Sequence, residues 1–197
     1  MELYFVRHGK TRGNGLMQYI GSTDEPLSEE GLAAANAVTP DLSVKEIFVS
    51  PLKRTQQTAA ILFPEAAQTV IDGFAEMDFG IFEGRSADDM KDDAEYTKWV
   101  DSFCELPIPG GESRAQFQDR CVETFINVME EPIKNHIDRV YFAVHGGTIM
   151  SILSVFAKDF GAYYDWAPKN LEGWKLTLAE GNDDLPFTLT DPVKITR

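Results

Sequence analysis

Three short apolar runs govern what this chain can fold into. They are Leu3-Tyr4-Phe5-Val6, Glu46-Ile47-Phe48-Val49 and Arg139-Val140-Tyr141-Phe142-Ala143-Val144. Each is too short for a helix and rich in β-formers, so each predicts a strand. All three are apolar on both faces, and helical patterns lie between them. Strands of this kind belong in a parallel sheet covered on both sides. The predicted fold is therefore α/β, with a mostly parallel central sheet. At 197 residues the chain predicts a single domain, 1–197, with enough length to bury a core.

The segments between the runs carry start and stop signals. Ser28 precedes Glu29-Glu30-Gly31 as an N-cap with acids in the first turn, and that helix should run to Pro40-Asp41. Ser50 and Pro51 read as N-cap and N1 of a second helix, with Leu52, Gln56, Ala59 and Phe63 on one side. Gln68–Ile71 predicts a weaker strand. Ser86 to about Phe103 reads as an acidic helix, with Trp99 and Phe103 on one face. Leu106-Pro107-Ile108-Pro109-Gly110-Gly111 breaks it, and the irregular insert around 84–111 is the best candidate for a lid. Ser113-Arg114-Ala115-Gln116 is a capping box, followed by a core-packed helix (Phe117, Cys121, Phe125, Val128) ending near Pro132. Ile149, Leu153, Phe156 and Phe160 predict a further helix. Trp174–Leu178 alternates as a strand, and Phe187-Thr188-Leu189 should pair back on it as an antiparallel edge.

Composition narrows the function. The formal net charge of −14 makes nucleic acid a poor partner, since a phosphate backbone requires a basic footprint. Any anion site must be a local basic pocket. Two cysteines, Cys104 and Cys121, without a C-x-x-C spacing argue against a disulfide framework and a thiolate zinc site. No apolar run reaches membrane-spanning length and no signal segment opens the chain, so a cytoplasmic location is expected. No carboxylate, histidine or cysteine cluster has metal-ligand spacing, so no metal or cofactor is expected.

The strands end in chemistry. The first stops at Arg7-His8-Gly9, the second leads to Arg54 one helical turn on, and the last stops at His145-Gly146-Gly147. In a parallel sheet these ends share one edge, where ligands of open α/β folds collect. Taken singly, each has a plain structural explanation. Arg54 could be a solvated charge, Arg7 an ion-pair partner, His145 a core-edge histidine and Glu76 a surface carboxylate. Jointly they carry more weight, because two of only three histidines fall at strand ends beside glycine. His136, at a helix end, reads as structural. Arginine forks match phosphate oxygens, and a neutral imidazole is a nucleophile. The set predicts phosphoryl transfer through a phosphohistidine, with helix N-termini at Pro51 and Gly147 assisting.

The ordered motifs Arg7-His8-Gly9-x-Thr11-x-x-Asn14, Ser50-Pro51-Leu52-x-Arg54-x-x-Gln57-Thr58-Ala59, Glu76-x-x-x-Gly80-x-x-Glu83-Gly84, Gly110-Gly111-Glu112-Ser113 and His145-Gly146-Gly147 span most of the chain. This pattern resembles the histidine phosphatase superfamily, also called phosphoglycerate mutase-like. The resemblance implies a three-layer α/β/α sandwich and a metal-free reaction on a small phosphorylated metabolite. It implies His8 as nucleophile, Arg7, Arg54 and His145 as phosphoryl ligands, and Glu76 as acid and then base. Asn14 and Gly146 would contact the substrate. Met150 stands where relatives often carry an arginine, the Gly15–Asp24 loop matches the mutases poorly, and the chain is shorter than cofactor-dependent mutases, all of which favour a phosphatase. The Ser28-Glu29-Glu30-Gly31 step after Pro26-Leu27 resembles the bacterial branch that includes α-ribazole-5′-phosphate phosphatases. A phosphoglycerate mutase and a non-catalytic phosphate-binding module remain the alternatives, and oligomeric state is not legible.

Overall fold

The computed structural model describes residues 1–196. Six strands form one sheet: β1 (Glu2–Arg7), β2 (Glu46–Val49), β3 (Ala67–Val70), β4 (Arg139–Val144), β5 (Gly173–Glu180) and β6 (Phe187–Ile195). Their order is β3-β2-β4-β1-β5-β6. β1, β2, β3 and β4 pair in parallel, whereas β5 runs antiparallel to β1 and β6 antiparallel to β5. Pro192 lies in β6, the outermost strand, where a missing N–H disrupts no inner ladder. The helices are α1 (Arg12–Gly15), α2 (Glu29–Asn36), α3 (Lys53–Leu62), α4 (Ala94–Asp101), α5 (Arg114–Lys134) and α6 (Gly146–Phe156).

The period of two along a strand sorts side chains into two cores. Leu3, Phe5, Val140, Phe142 and Val144 face one way and join Phe117, Phe125, Ile149, Leu153 and Phe156 of α5 and α6. Val6, Tyr141, Ala143, Ile47 and Val49 face the other way and join Ala35 of α2 with Ala59 and Leu62 of α3. The result is the expected three-layer sandwich. Among the described residues no helix is long and apolar enough to cross a membrane.

Several local readings need correction. The helix after β2 starts at Lys53, with Leu52 as N-cap and no side-chain cap, not at Ser50-Pro51. The Ser50 hydroxyl instead receives the amide of Leu52 at 3.2 Å and turns inward to other partners. α2 ends at Asn36, short of Pro40. The acidic stretch from Ser86 is helical only over Ala94–Asp101, where Asp93 caps it through the amides of Glu95 and Tyr96. Trp99 is buried, but Phe103 lies beyond the helix at φ +58 and is 80% exposed, so the two do not share a helical face. Phe160 likewise falls past the end of α6 and is exposed. The capping box at Ser113 and Gln116 forms as expected. Its helix buries Met129 in preference to Val128 and continues through Pro132 to Lys134.

Phe125 is the hub of the larger core, with its ring 5.0–5.8 Å from those of Phe156, Phe187, Phe142 and Phe5. Phe125→Ala is expected to cost about 3–5 kcal/mol through lost burial and an unfilled cavity. Urea unfolding checks this as a lowered midpoint with an unchanged slope.

Candidate active site

The parallel register sets Arg7 beside Val144, and the His8 amide donates to the Val144 carbonyl at 3.0 Å. The residues that follow, His8 and His145, therefore emerge side by side, with ring centroids 5.2 Å apart. Both are buried. The Gly9 carbonyl can only accept, so the 2.7 Å contact fixes the proton of His8 on Nδ1 and leaves the Nε2 lone pair free. Burial depresses the His8 pKa well below 6.5, and the Arg7 and Arg54 cations push the same way. His8 is a neutral imidazole at pH 7.

His145 is oriented from the opposite side. The Arg54 Nε–H donates to its Nδ1 at 3.3 Å, so the ring proton sits on Nε2 and is donated to the Ser50 Oγ at 2.7 Å. The Ser50 hydroxyl lies 2.9 Å from the Thr55 Oγ1, which donates to the Leu52 carbonyl at 2.8 Å. Burial, then Arg54, holds the His145 pKa well below 6.5. Sequence reading cast Ser50 as a helix cap and missed this role. The signal available was a serine directly after a strand that ends beside the histidine-bearing one.

Arg54 is wholly buried. Besides His145, its Nη1 donates to the Thr23 carbonyl at 2.7 Å and its Nη2 to the Gly21 carbonyl at 2.8 Å. The solvated-charge explanation is therefore wrong for Arg54. Lys53 does fit it, exposed and paired with Asp24 at 3.3 Å. Helix N-terminal assistance at Pro51 also fails, because α3 begins later and the Lys53 amide donates to Asp24 at 2.7 Å. Arg7 donates Nη1 to the Pro168 carbonyl at 2.9 Å, while its buried Nε has no partner.

Glu76 reaches the site from the irregular segment after β3. Its carboxylate accepts from the Met77 amide at 3.0 Å and from the Gly147 amide, in the first turn of α6, at 3.1 Å. The Gly147 amide is thus engaged by a carboxylate in this structure. A Cβ at Gly147 would fall 2.2 Å from the Glu76 Oε1, so only glycine permits this approach. Desolvation raises the Glu76 pKa above 4.5, opposed by the two amides and then by Arg54 and Arg7. The neighbouring acids are committed elsewhere. The Glu83 carboxylate gathers the amides of Gly21, Ser22 and Phe79, and Asp78 accepts from the Gly80 amide.

Asn14 lies at the rim, its Oδ1 accepting from the Thr11 amide and from the Asn170 Nδ2, which also reaches the His8 carbonyl. Asn170 carried no sequence signal. Arg7, Asn14, Glu76, Gly146 and Gly147 line a cavity of about 370 Å³. Its other walls include the aromatic rings of Tyr19, Phe79, Trp99, Phe117, Tyr163 and Tyr164. Among the described residues no group of three or more His, Cys, Asp or Glu could hold a metal ion.

Residues 3–185 match the sequence pattern of the histidine phosphatase superfamily (branch 1). The chain belongs to that superfamily. The probable phosphoglycerate mutase GpmB of Salmonella choleraesuis is 30% identical over 139 residues, which is 67% of this chain and 65% of that protein. The α-ribazole phosphatase of Shigella flexneri superposes with a TM-score of 0.78 at 24% identity, covering 96% of this chain and 94% of that one. TTHB049 from Thermus thermophilus superposes with a TM-score of 0.70 at 25% identity, covering 98% and 99%. This histidine phosphatase superfamily member shares the fold of those two superposed structures over nearly its whole length.

The depressed histidines make stability pH-dependent. As pH falls below 6.5 the unfolded chain takes up protons that folded His8 and His145 refuse. Their contribution is whole above 6.5 and is lost on acidification, by up to about 1.4 kcal/mol per pH unit for each site. Glu76, with its raised pKa, acts oppositely, its contribution being lost as pH rises. Unfolding free energies of the parent and His8→Asn between pH 7.5 and 5.5 should therefore show a shallower slope in the variant, since Glu76 titrates in both.

Proposed function

We propose that the protein is a phosphomonoesterase working through a phosphohistidine at His8. One observation carries the reading: the Nδ1–H bond to Gly9 leaves the Nε2 of a neutral, buried His8 free beside Arg7, Arg54 and His145. In the first step Nε2 attacks phosphorus, the P–O bond to the alcohol breaks, and protonated Glu76 gives its proton to the departing oxygen. Arg7, Arg54, Asn14 and the Gly146 backbone hold the phosphoryl oxygens, while His145, its one N–H given to Ser50, accepts the Arg54 Nε–H and so orients that guanidinium rather than donating to phosphate itself. In the second step Glu76 takes a proton from water as that water attacks phosphorus, the N–P bond breaks, and phosphate leaves. The raised pKa of Glu76 suits an acid that must hold a proton. No metal or cofactor takes part.

The aromatic walls support a leaving alcohol with a planar or apolar body, and α-ribazole 5′-phosphate fits that description. The insert at 84–111 supplies Trp99 and Cys104 to these walls, and we read it as the lid of a single domain. The likeness to GpmB favours phosphoglycerate mutase as the second reading. Against it, the remaining cation of the lining is Arg114, which is paired with Glu105 and laid over the Tyr163 ring. A substrate carboxylate would meet no free cation there among the described residues.

Steady-state phosphate release from p-nitrophenyl phosphate, with an acid-labile phosphoenzyme in a quench, is expected in the parent and absent in His8→Ala. Turnover by folded His8→Ala would remove the mechanism, and a parent that binds phosphate without turnover would be a binding module. Transfer between 2- and 3-phosphoglycerate faster than hydrolysis would favour the mutase. In single-turnover phosphoenzyme formation, Glu76→Gln should slow reaction with an alkyl phosphate by ~10²–10⁴-fold and with p-nitrophenyl phosphate far less.

A further inference from the structure

Glu76 stands on a stretch, residues 75–79, that is neither helix nor strand. Local structure therefore does not aim its carboxylate, and anchors must come from elsewhere. They converge on Arg120 of α5. Its Nη1 donates to the carbonyls of Gly73 and Ala75, at 2.9 and 3.1 Å. Its Nε and Nη2 grip both oxygens of Glu112, at 2.9 and 2.7 Å. The Glu112 Oε2 in turn accepts from the Asp78 amide at 3.0 Å, and the Glu112 amide donates to the Asp78 carbonyl at 2.9 Å. Glu76 is thus bracketed: Ala75 is held by Arg120 directly, and Asp78 through Glu112.

The platform beneath is stiff. A Cβ at Gly73 would fall 2.0 Å from the Thr124 Oγ1, so the segment lies directly against α5. The Arg120 guanidinium lies 5.1 Å over the Phe117 ring, which limits its freedom. A Cβ at Gly111 would fall 2.4 Å from the Asp78 carbonyl oxygen, so the strip bearing Glu112 is pressed against the segment's far end. Neither side chain lines the cavity. This fork-to-carboxylate geometry is planar and bidentate, the arrangement in which arginine fixes position rather than merely supplying charge.

We propose that Arg120 and Glu112 are positioning residues that hold the Glu76 carboxylate at the site, and that they act on the reaction only through Glu76. The proposal rests on Glu76 being the proton donor. Arg120→Lys keeps the charge and loses the fork, while Glu112→Gln keeps the shape and loses the charge-assisted pair. Single-turnover phosphoenzyme formation is measured with β-glycerol phosphate and with p-nitrophenyl phosphate, for each variant and for Glu76→Gln. Both clamp variants should slow the alkyl ester by ~10-fold or more, part of the range general acid catalysis spans, and the nitrophenyl ester much less. In the Glu76→Gln background the same substitutions should cost the alkyl ester nothing further, the non-additivity of residues acting as one unit. If Glu76→Gln is selective for the alkyl ester but the folded clamp variants slow both esters equally, or neither, the clamp is wrong and the acid stands. If the clamp losses persist in the Glu76→Gln background, the two residues act by another route and the proposal falls. If Glu76→Gln itself is unselective, the acid assignment fails and takes the clamp with it.

Discussion

The site depends on the register between β1 and β4. Two parallel strands, paired so that Arg7 meets Val144, stop together, and the next residue on each is a histidine. A slip of one residue would turn His8 to the opposite face, and a slip of two would draw the rings apart. That register is held by more than backbone bonds. Phe5 stacks on Phe142 at 4.7 Å on one face and Tyr4 on Tyr141 at 4.6 Å on the other. Aromatic cross-strand pairs on both faces make any other alignment expensive. The two cores that hold the sheet between helices therefore also set the distance between the imidazoles.

Around that pair, an acidic protein keeps a buried cationic pocket. Arg54 would be costly in the interior without partners, and its partners are backbone carbonyls of residues 21 and 23 with the His145 ring. The loop supplying those carbonyls is held from its other side by Glu83, which collects the amides of Gly21 and Ser22. Of the carboxylates on the 76–83 stretch, one faces the cavity and the others tie down backbone. Which acid does which is decided by glycines: Gly147 lets Glu76 reach a helix N-terminus, and Gly80 at φ +45 lets the chain fold back on the Gly110-Gly111 strip.

Much of this was legible in the sequence, and for physical reasons. Runs apolar on both faces with helices between them leave few alternatives to a covered parallel sheet, and parallel strands deliver their carboxyl ends to one edge. Arg7, His8 and His145 were readable because they stand at those ends. The three-layer architecture and the antiparallel edge were legible in the same way. Local helix starts were less so. Ser50-Pro51 carries every mark of an N-terminus, yet a tertiary demand from His145 turned the serine inward and delayed the helix to Lys53. The acidic stretch after Ser86 lost half its expected helix, and Phe103 its expected partner. Arg120, Glu112 and Asn170 act through long-range hydrogen bonds to backbone or side-chain groups, and no spacing in one sequence announces such bonds.

The hydroxyl chain behind His145 has a direction. Arg54 donates to Nδ1, Nε2 donates to Ser50, Ser50 to Thr55, and Thr55 to the Leu52 carbonyl. Every proton is given the same way along the row, and the last acceptor is a carbonyl, which has no proton to hand on. This row of side chains is a dead end for proton conduction, an insulator rather than a wire. Protons consumed or released at the phosphoryl site are therefore not relayed through this row, and the one that moves at each step stays with Glu76 and the groups that line the cavity beside it.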